Sequence, residues 1–184
     1  MRKLSMDELH RKTIDEFRQS EKMPIVVVLE NIRSAYNVGS VLRTADAFLL
    51  QAVYTTGYTP HPPHKQIDKT ALGAHETVLC KHFPDAAHAI ASLKEEGFTV
   101  FAAEQTENSI LLNEIDARAY KKIAVVFGNE VSGVEQSTIL LCDACIEIPQ
   151  LGMKHSLNIA TAAGVLLWEL VKPRIGESKP VAGK

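Results

Sequence analysis

Ile123-Ala124-Val125-Val126-Phe127 runs directly into Gly128-Asn129-Glu130-Val131-Ser132-Gly133, and Ile146-Glu147-Ile148-Pro149 runs toward Gly152-Met153-Lys154-His155-Ser156-Leu157-Asn158. The first run is a continuous apolar, β-rich segment, the pattern of a strand covered on both faces. Each run ends in glycine and small polar residues. Two such ends are what a ligand site at the carboxyl edge of a parallel sheet requires, since small residues let backbone groups approach a ligand. This pair of segments predicts an α/β enzyme.

Working outward, Pro24–Leu29 is a second buried strand, and Val38, Val41, Leu42, Ala45 and Phe48 repeat with helical spacing. Ala52–Thr56 is a strand, and the proline-rich Tyr58–Gln66 a surface loop. Thr77–Cys80 reads as a short strand, Pro84–Glu96 as a helix closed by Gly97, and Phe98–Ala103 as a strand. After Ile123–Phe127 come a short helix Gln136–Cys142, a strand Cys145–Ile148 and a last helix Leu157–Val171. The last helix is expected to align Leu157, Ala160, Gly164, Leu167 and Val171 on one face. At the start, Ser5 as N-cap with Glu8 three residues on predicts a helix over 5–19, with Leu4 and Leu9 as a staple and Met6, Leu9, Thr13 and Phe17 as a thin apolar stripe. The alternation of strand and helix favours a mostly parallel sheet with helices on both faces. Expected boundaries are a helical extension 1–22, a main domain 23–172 and a flexible tail 173–184.

Composition sets limits. The chain has 184 residues, 46% of them hydrophobic and 23% charged, an ordinary soluble domain. At this size about 70% of the unfolded surface can be buried, so no disulfide or metal staple is needed. Three cysteines without framework spacing agree with a reducing compartment. No apolar leader opens the chain and no run nears about 18 apolar residues, so the expectation is a cytoplasmic protein without membrane insertion. The net charge of −2 gives no global attraction to nucleic acid. Basic residues do gather at both ends, among them Arg2, Lys3, Arg11, Lys12, Lys179 and Lys184, but acids interleave with the first group, and a solvated helix face accounts for it better than a nucleic-acid arm.

Several chemistries fail on their motifs. Gly128–Gly133 matches the start of a phosphate loop, but Val134 and Glu135 stand where lysine and Ser/Thr belong. No G-x-G-x-x-G follows the first strand, and no G-x-S-x-G elbow surrounds Ser156. Cys142 and Cys145 form a lone C-x-x-C that reads as buried small hydrophobes, and His61 and His64 lack a third ligand. What remains is polar residues at the ends of buried elements: Asn37, Arg43, Glu130, Ser156 and Asn158. Each has an ordinary role of its own. Asn37 reads as a helix N-cap, Arg43 as a surface ion pair, and Ser156 or Asn158 as the cap of the last helix.

Taken together, three stretches resemble a known family. Residues 31–48 (Asn31 through Asn37, Gly39 and Arg43 to Phe48), 126–134 (Val126-Phe127-Gly128-Asn129-Glu130 to Val134) and 148–160 (Ile148-Pro149 through Ser156-Leu157-Asn158 to Ala160) are similar to the three motifs of the SpoU/TrmH family of SPOUT methyltransferases. The likeness covers about residues 24–171, in order and spacing. It implies methyl transfer from S-adenosylmethionine to a ribose 2′-hydroxyl of tRNA or rRNA, a C-terminal trefoil knot and a homodimer. It also implies that Ala103, Glu104, Gly128, Ile148 and Leu157 contact the cofactor, that Arg43, Asn37, Glu130, Ser156 and Asn158 act in catalysis or positioning, and that no metal takes part. One departure is visible: where the family often reads Ser-Leu-Asn-Val-Ser-Val-Ala, this chain has Ile159-Ala160-Thr161-Ala162 after Asn158, which moves a hydroxyl to another face of the helix. The family proposal makes Arg43 the base. A guanidinium is almost never neutral in a protein, so a second role, anchoring a phosphate and stabilising the developing alkoxide, stands beside it. Among RNA substrates the tRNA branch is favoured, with a D-loop guanosine as the expected nucleotide and rRNA as the alternative. A fold that binds RNA without catalysis is the rival of another class.

Overall fold

The computed structural model describes residues 1–5, 7–9 and 12–175. Met6 of the predicted stripe, Arg11 and the 176–184 part of the predicted tail, with Lys179 and Lys184, lie outside the described residues. A single 3-10 turn, Asp7–Leu9, and a short α1, Ile14–Gln19, replace the continuous helix expected over 5–19. The reason is a second capping box: Thr13 accepts from the Glu16 N–H at 3.2 Å while Glu16 accepts from the Thr13 N–H at 2.7 Å, which starts a new helix there. Phe17 anchors α1 to the core, and the Lys22 ammonium lies 3.9 Å over its ring.

The remaining strands and α-helices are β1 Met23–Glu30, α2 Ala35–Ala47, β2 Leu50–Thr56, α3 Lys65–Ala71, α4 Ala74–Thr77, β3 Cys80–Phe83, α5 Ala86–Glu95, β4 Thr99–Ala103, β5 Ile110–Leu111, β6 Ile123–Phe127, α6 Gln136–Ile139, β7 Ala144–Glu147 and α7 Ile159–Val171. The strands form one sheet in the order β3-β2-β1-β6-β4-β7-β5, and every registered pair is parallel. Alternation along β1 builds two layers. Ile25, Val27 and Leu29 pack with α2, α3 and α7, and Val26 and Val28 pack with α5. All five are fully buried, and burial of each such side chain stabilises by about 1.5–3 kcal/mol.

Three expectations shift. The predicted strand Thr77–Cys80 lies at Cys80–Phe83, because Thr77 closes α4. Asn37 is not the N-cap of α2: Ser34 caps it, accepting from the Asn37 N–H at 3.4 Å, which leaves the Asn37 side chain in the first turn free to reach elsewhere. The buried face of α7 is Ile159, Ala163, Leu166, Leu167, Leu170 and Val171, rotated from the predicted one because the helix is apolar nearly all round.

Adjacent β1 and β6 send the chain in opposite directions, β1 toward β2 and β6 over β4 to β7. A crevice forms where connections diverge in this way, outside the carboxyl ends of the strands. Among the described residues, no helix is long and apolar enough to cross a membrane.

Candidate functional site

Beyond the carboxyl ends of β4, β6 and β7 lies a cavity of about 580 Å³, within the range of small-molecule sites. It gathers Ala103 and Glu104 from the end of β4, Gly128 after β6, Ile148 after β7 and Leu157 before α7. The five positions expected to contact a cofactor thus line one space. Its walls are mixed in character. Leu157 is 42% exposed there and Ile148 half-buried, so a ligand with an apolar face gains by covering them, while the Glu104 carboxylate and the backbone of 128–134 supply polar partners.

Gly128 has no alternative at its position. A Cβ there would lie 2.1 Å from the Gly133 carbonyl carbon and the Val134 nitrogen, because the loop folds back over the strand end. Asn129 and Gly133 exchange backbone hydrogen bonds at 2.9 Å in both directions and close that loop. Gly133 has φ +70, and Glu104 accepts from the Val134 N–H at 3.0 Å and the Gln105 N–H at 2.9 Å, tying the loop to β4.

At the mouth, Glu130 collects three donors: the Arg33 N–H at 2.9 Å, the Ser34 N–H at 3.1 Å and Asn37 Nδ2 at 2.9 Å. Partial burial by itself would push its carboxyl up, but these donors hold it below the usual carboxylate range. Asn158 Nδ2 donates to Asn37 Oδ1 at 3.2 Å, while Asn158 Oδ1 caps α7 on the Ala160 N–H at 2.9 Å. Glu130, Ser156 and Asn158 line the cavity, and Asn37 is joined to it through its two partners. The three sequence segments therefore meet in one hydrogen-bonded chain.

Arg43 is not among the residues lining this cavity. It lies exposed on α2, beside a groove shared with Lys69 and Thr70 of α3 and Gly164 of α7, and forms no ion pair among the described residues. Thr161, the displaced hydroxyl, is exposed on α7.

Several residues escaped the sequence reading. Gln105 and Gln150 both donate to the His155 carbonyl, at 3.2 and 3.3 Å, and so hold the 150–156 loop over the cavity; a glutamine in a loop carries no local sign of such a role. Asn129 accepts from the Val131 and Ser132 N–H groups at 2.8 and 3.2 Å, an Asx turn that a Gly-Asn pair after a strand could have suggested. Glu30, 3% exposed, receives the Glu135 N–H at 3.0 Å and the Thr138 hydroxyl, and burial pushes its carboxyl above the usual range against these bonds.

The cysteines stay apart from this chemistry, whereas His155 lines the cavity. Burial pushes the Cys142 thiol up to about 12, and its Sγ donates to the Thr138 carbonyl at 3.3 Å. Among the described residues, no cluster of His, Cys, Asp or Glu could hold a metal ion. His64 caps α3, accepting from the Gln66 N–H at 3.2 Å.

Comparison with known proteins agrees with this geometry. The model of the SpoU rRNA Methylase family matches residues 24–168. The tRNA (guanosine(18)-2′-O)-methyltransferase of Thermus thermophilus is 36% identical over 171 residues, covering 91% of this chain and 84% of that protein. Among solved structures, the A. aeolicus TrmH/SpoU tRNA modifying enzyme superposes with a TM-score of 0.79 at 24% identity, covering 93% of this chain and 88% of that one. The SpoU methyltransferase AviRb from Streptomyces viridochromogenes, solved in complex with the cofactor AdoMet, has a TM-score of 0.75 at 22% identity, covering 90% and 63%. At these identities the two structures establish the fold, and the match of family model and Thermus relative, spread over all three converging segments, makes this chain a member of the SpoU rRNA methylase family.

Proposed function

We propose that this protein transfers a methyl group from S-adenosylmethionine to a ribose 2′-hydroxyl of structured RNA, with tRNA the favoured substrate and a D-loop guanosine the favoured nucleotide. The observation that carries the reading is the meeting of the three motif segments, through Glu130, Asn37 and Asn158, at the mouth of a cavity fit for the methyl donor. The Thermus relative, named for guanosine 18 of tRNA, supports the choice of RNA and nucleotide. The donor supplies an activated sulfonium methyl. The loops around Gly128, Ile148 and Leu157 bind and orient it with backbone groups and apolar walls. Glu130, held ionised by its donors, and the Asn37–Asn158 pair keep the two sides of the mouth in register, and Ser156 offers a hydroxyl to the ribose.

A ribose hydroxyl attacks only as its proton leaves, here to solvent at the open mouth of the cavity, so charge develops on its oxygen. Arg43, kept charged, stabilises that oxygen and anchors a neighbouring phosphate. Within one protomer it lies on the groove of α2, α3 and α7, away from the cavity. Beside that groove α7 exposes Val165 (43%) and Trp168 (49%), an apolar face suited to a second copy of this chain. We infer a homodimer in which Arg43 of one protomer faces the cavity of its partner, with the C-terminal segment of each threaded as a knot and the protein working in the cytoplasm.

Incubation with labelled S-adenosylmethionine and separate tRNA and rRNA pools, followed by mapping of the labelled ribose, tests the reaction. Label at a 2′-oxygen of tRNA supports the reading; label in rRNA redirects it to the substrate in the family's description; no label in RNA overturns it. Mixing inactive Arg43→Ala and Asn158→Ala chains tests the shared site, since mixed dimers regain one intact site only if the two residues come from different protomers.

A further inference from the structure

The loop that follows β2 carries a feature that methyl transfer by itself does not demand. Gly57, at φ +61, turns the chain out of the strand, and its N–H donates to the Phe83 carbonyl at 3.3 Å. Two residues later Thr59, almost wholly buried, donates to the Leu29 carbonyl at 3.0 Å and accepts from the Ile32 N–H at 2.9 Å. These bonds lock the loop onto the end of β1. Between them Tyr58 is 62% exposed, and its hydroxyl oxygen accepts from Asn129 Nδ2 at 2.9 Å. The same nitrogen donates to the Asn31 carbonyl at 2.7 Å, and Asn129 lines the cofactor cavity. A tyrosine ring is thus fixed at its polar end to the loop of the second motif and left open on its face.

Three residues on, the exposed His61 ring stacks on His82 at 4.2 Å with 21° between planes. His82 is steadied by Thr55 Oγ1 at 3.1 Å from its Nδ1. Burial and the adjacent His61 lower the His82 imidazolium, so this ring is uncharged near neutral pH. Arg33, an exposed cation, follows β1 at the same carboxyl edge, while Lys81 of β3 sets its ammonium 5.5 Å over the Tyr54 ring on the other face of the sheet. Planar rings held in place without ordering cost, at an edge that also carries the Arg33 cation, fit unpaired nucleobases on a phosphate chain. A protein partner would gain from apolar contact area, which this rim of imidazoles and one phenol offers little of.

We propose that Tyr58, with the His61–His82 stack, is a platform on which an unpaired base flanking the target ribose stacks. The inference rests on the RNA reading above and adds the residues that select unpaired over paired RNA. Base stacking on an aromatic ring is sequence-tolerant, so the platform positions the strand while the methyl-transfer cavity chooses the nucleotide.

The test uses the full chain and whichever of unfractionated tRNA or rRNA the wild type methylates. Tyr58→Ala is expected to raise Kd and KM for that RNA about tenfold. The affinity for S-adenosylmethionine and the slope of log K against log salt should stay unchanged, since no phosphate contact is lost. Tyr58→Phe, which keeps the ring and loses the bond to Asn129, is expected to recover most of the affinity that alanine removes, and His61→Ala to lose about threefold or more. The proposal is overturned if Tyr58→Ala binds RNA like the wild type, if the phenylalanine and alanine variants are equally impaired, or if cofactor affinity falls in step. A wild type that methylates RNA while Tyr58→Ala keeps its KM sinks the platform alone. A wild type that neither binds nor methylates RNA sinks both readings.

Discussion

Asn158 Nδ2 donates to Asn37 Oδ1 across 3.2 Å, although 121 residues separate the two in the chain. The bond fixes which way each amide points. Glu130 only accepts, so Asn37 must turn Nδ2 toward it and Oδ1 toward Asn158, and Asn158 must turn its own oxygen to the Ala160 N–H. Helix α7, helix α2 and the loop after β6 are thereby polarised in one direction. Asn37→Ala breaks the chain in the middle and is expected to cost about 1 kcal/mol of stability and at least about tenfold in methyl transfer. Asn37→Asp sets a carboxylate against Glu130 and should be the less stable of the two near neutral pH. The gap should close in acid as the pair takes up a proton. Urea unfolding of both variants at the two pH values checks the order; equal stability of the two at neutral pH would remove Glu130 as the partner that matters.

Glu130 itself gives a pH signature. Its carboxyl is lowered in the folded protein, so the stability it contributes is fully present above the ordinary carboxylate pKa and is lost as pH falls through the lower folded value. Glu130→Gln should therefore lose stability relative to the wild type at neutral pH, with the difference shrinking on acidification. The side chain is exposed, which keeps the effect small, and unfolding midpoints through the acid range measure it.

The core was readable from local pattern, and the contacts at the site were not. Strand β6 matches the predicted Ile123–Phe127 residue for residue, since five buried apolar positions end at a glycine that cannot be replaced. Strand β5, two residues long, offers too little pattern to see, and α3 begins behind His64, a residue outside the usual capping set. At the N-terminus two capping signals, Ser5 with Glu8 and Thr13 with Glu16, compete, and spacing alone does not rank them. Glycine-rich strand ends advertise a ligand edge, but the individual positions around the cavity follow from the resemblance to the family and not from local pattern. The pairing of Glu130 with Asn37 and of Asn37 with Asn158 has no local signature, because partners so distant in sequence meet only through the sheet order.

Glu30 predicts the opposite slope from Glu130. Burial raises its folded pKa above the unfolded value, so the folded state keeps a proton where the unfolded chain has released it. Stability is then lost as pH rises from the ordinary carboxylate value through the raised one. Glu30→Gln keeps an oxygen for the Glu135 N–H and removes the titration, and the Thr138 hydroxyl, which donates to Glu30 in the wild type, must turn to accept from the new NH₂. The variant should gain stability relative to the wild type as pH rises from the ordinary carboxylate value through the raised one. Denaturant midpoints across that range decide it, and a constant offset would mean that Glu30 has the same pKa in the folded and unfolded states.

Gly128, in the wall of the cavity, and Gly152, in the loop between β7 and α7, should respond differently to alanine. At Gly128 the new Cβ would meet backbone atoms of Gly133 and Val134 at 2.1 Å, and neither is the end of a flexible side chain that could turn aside. The loop must lift from β6, at a cost of about 1–3 kcal/mol or more, and the wall of the cofactor cavity moves with it. Within the protomer a Cβ at Gly152 would meet nothing within 4 Å, and its φ lies outside the left-handed region, so alanine there should change stability by no more than about 0.5 kcal/mol. Calorimetric titration with S-adenosylmethionine should register a loss of at least about tenfold for Gly128→Ala and little change for Gly152→Ala. Equal affinities in the two variants would show that the 128–134 loop does not shape the cofactor cavity.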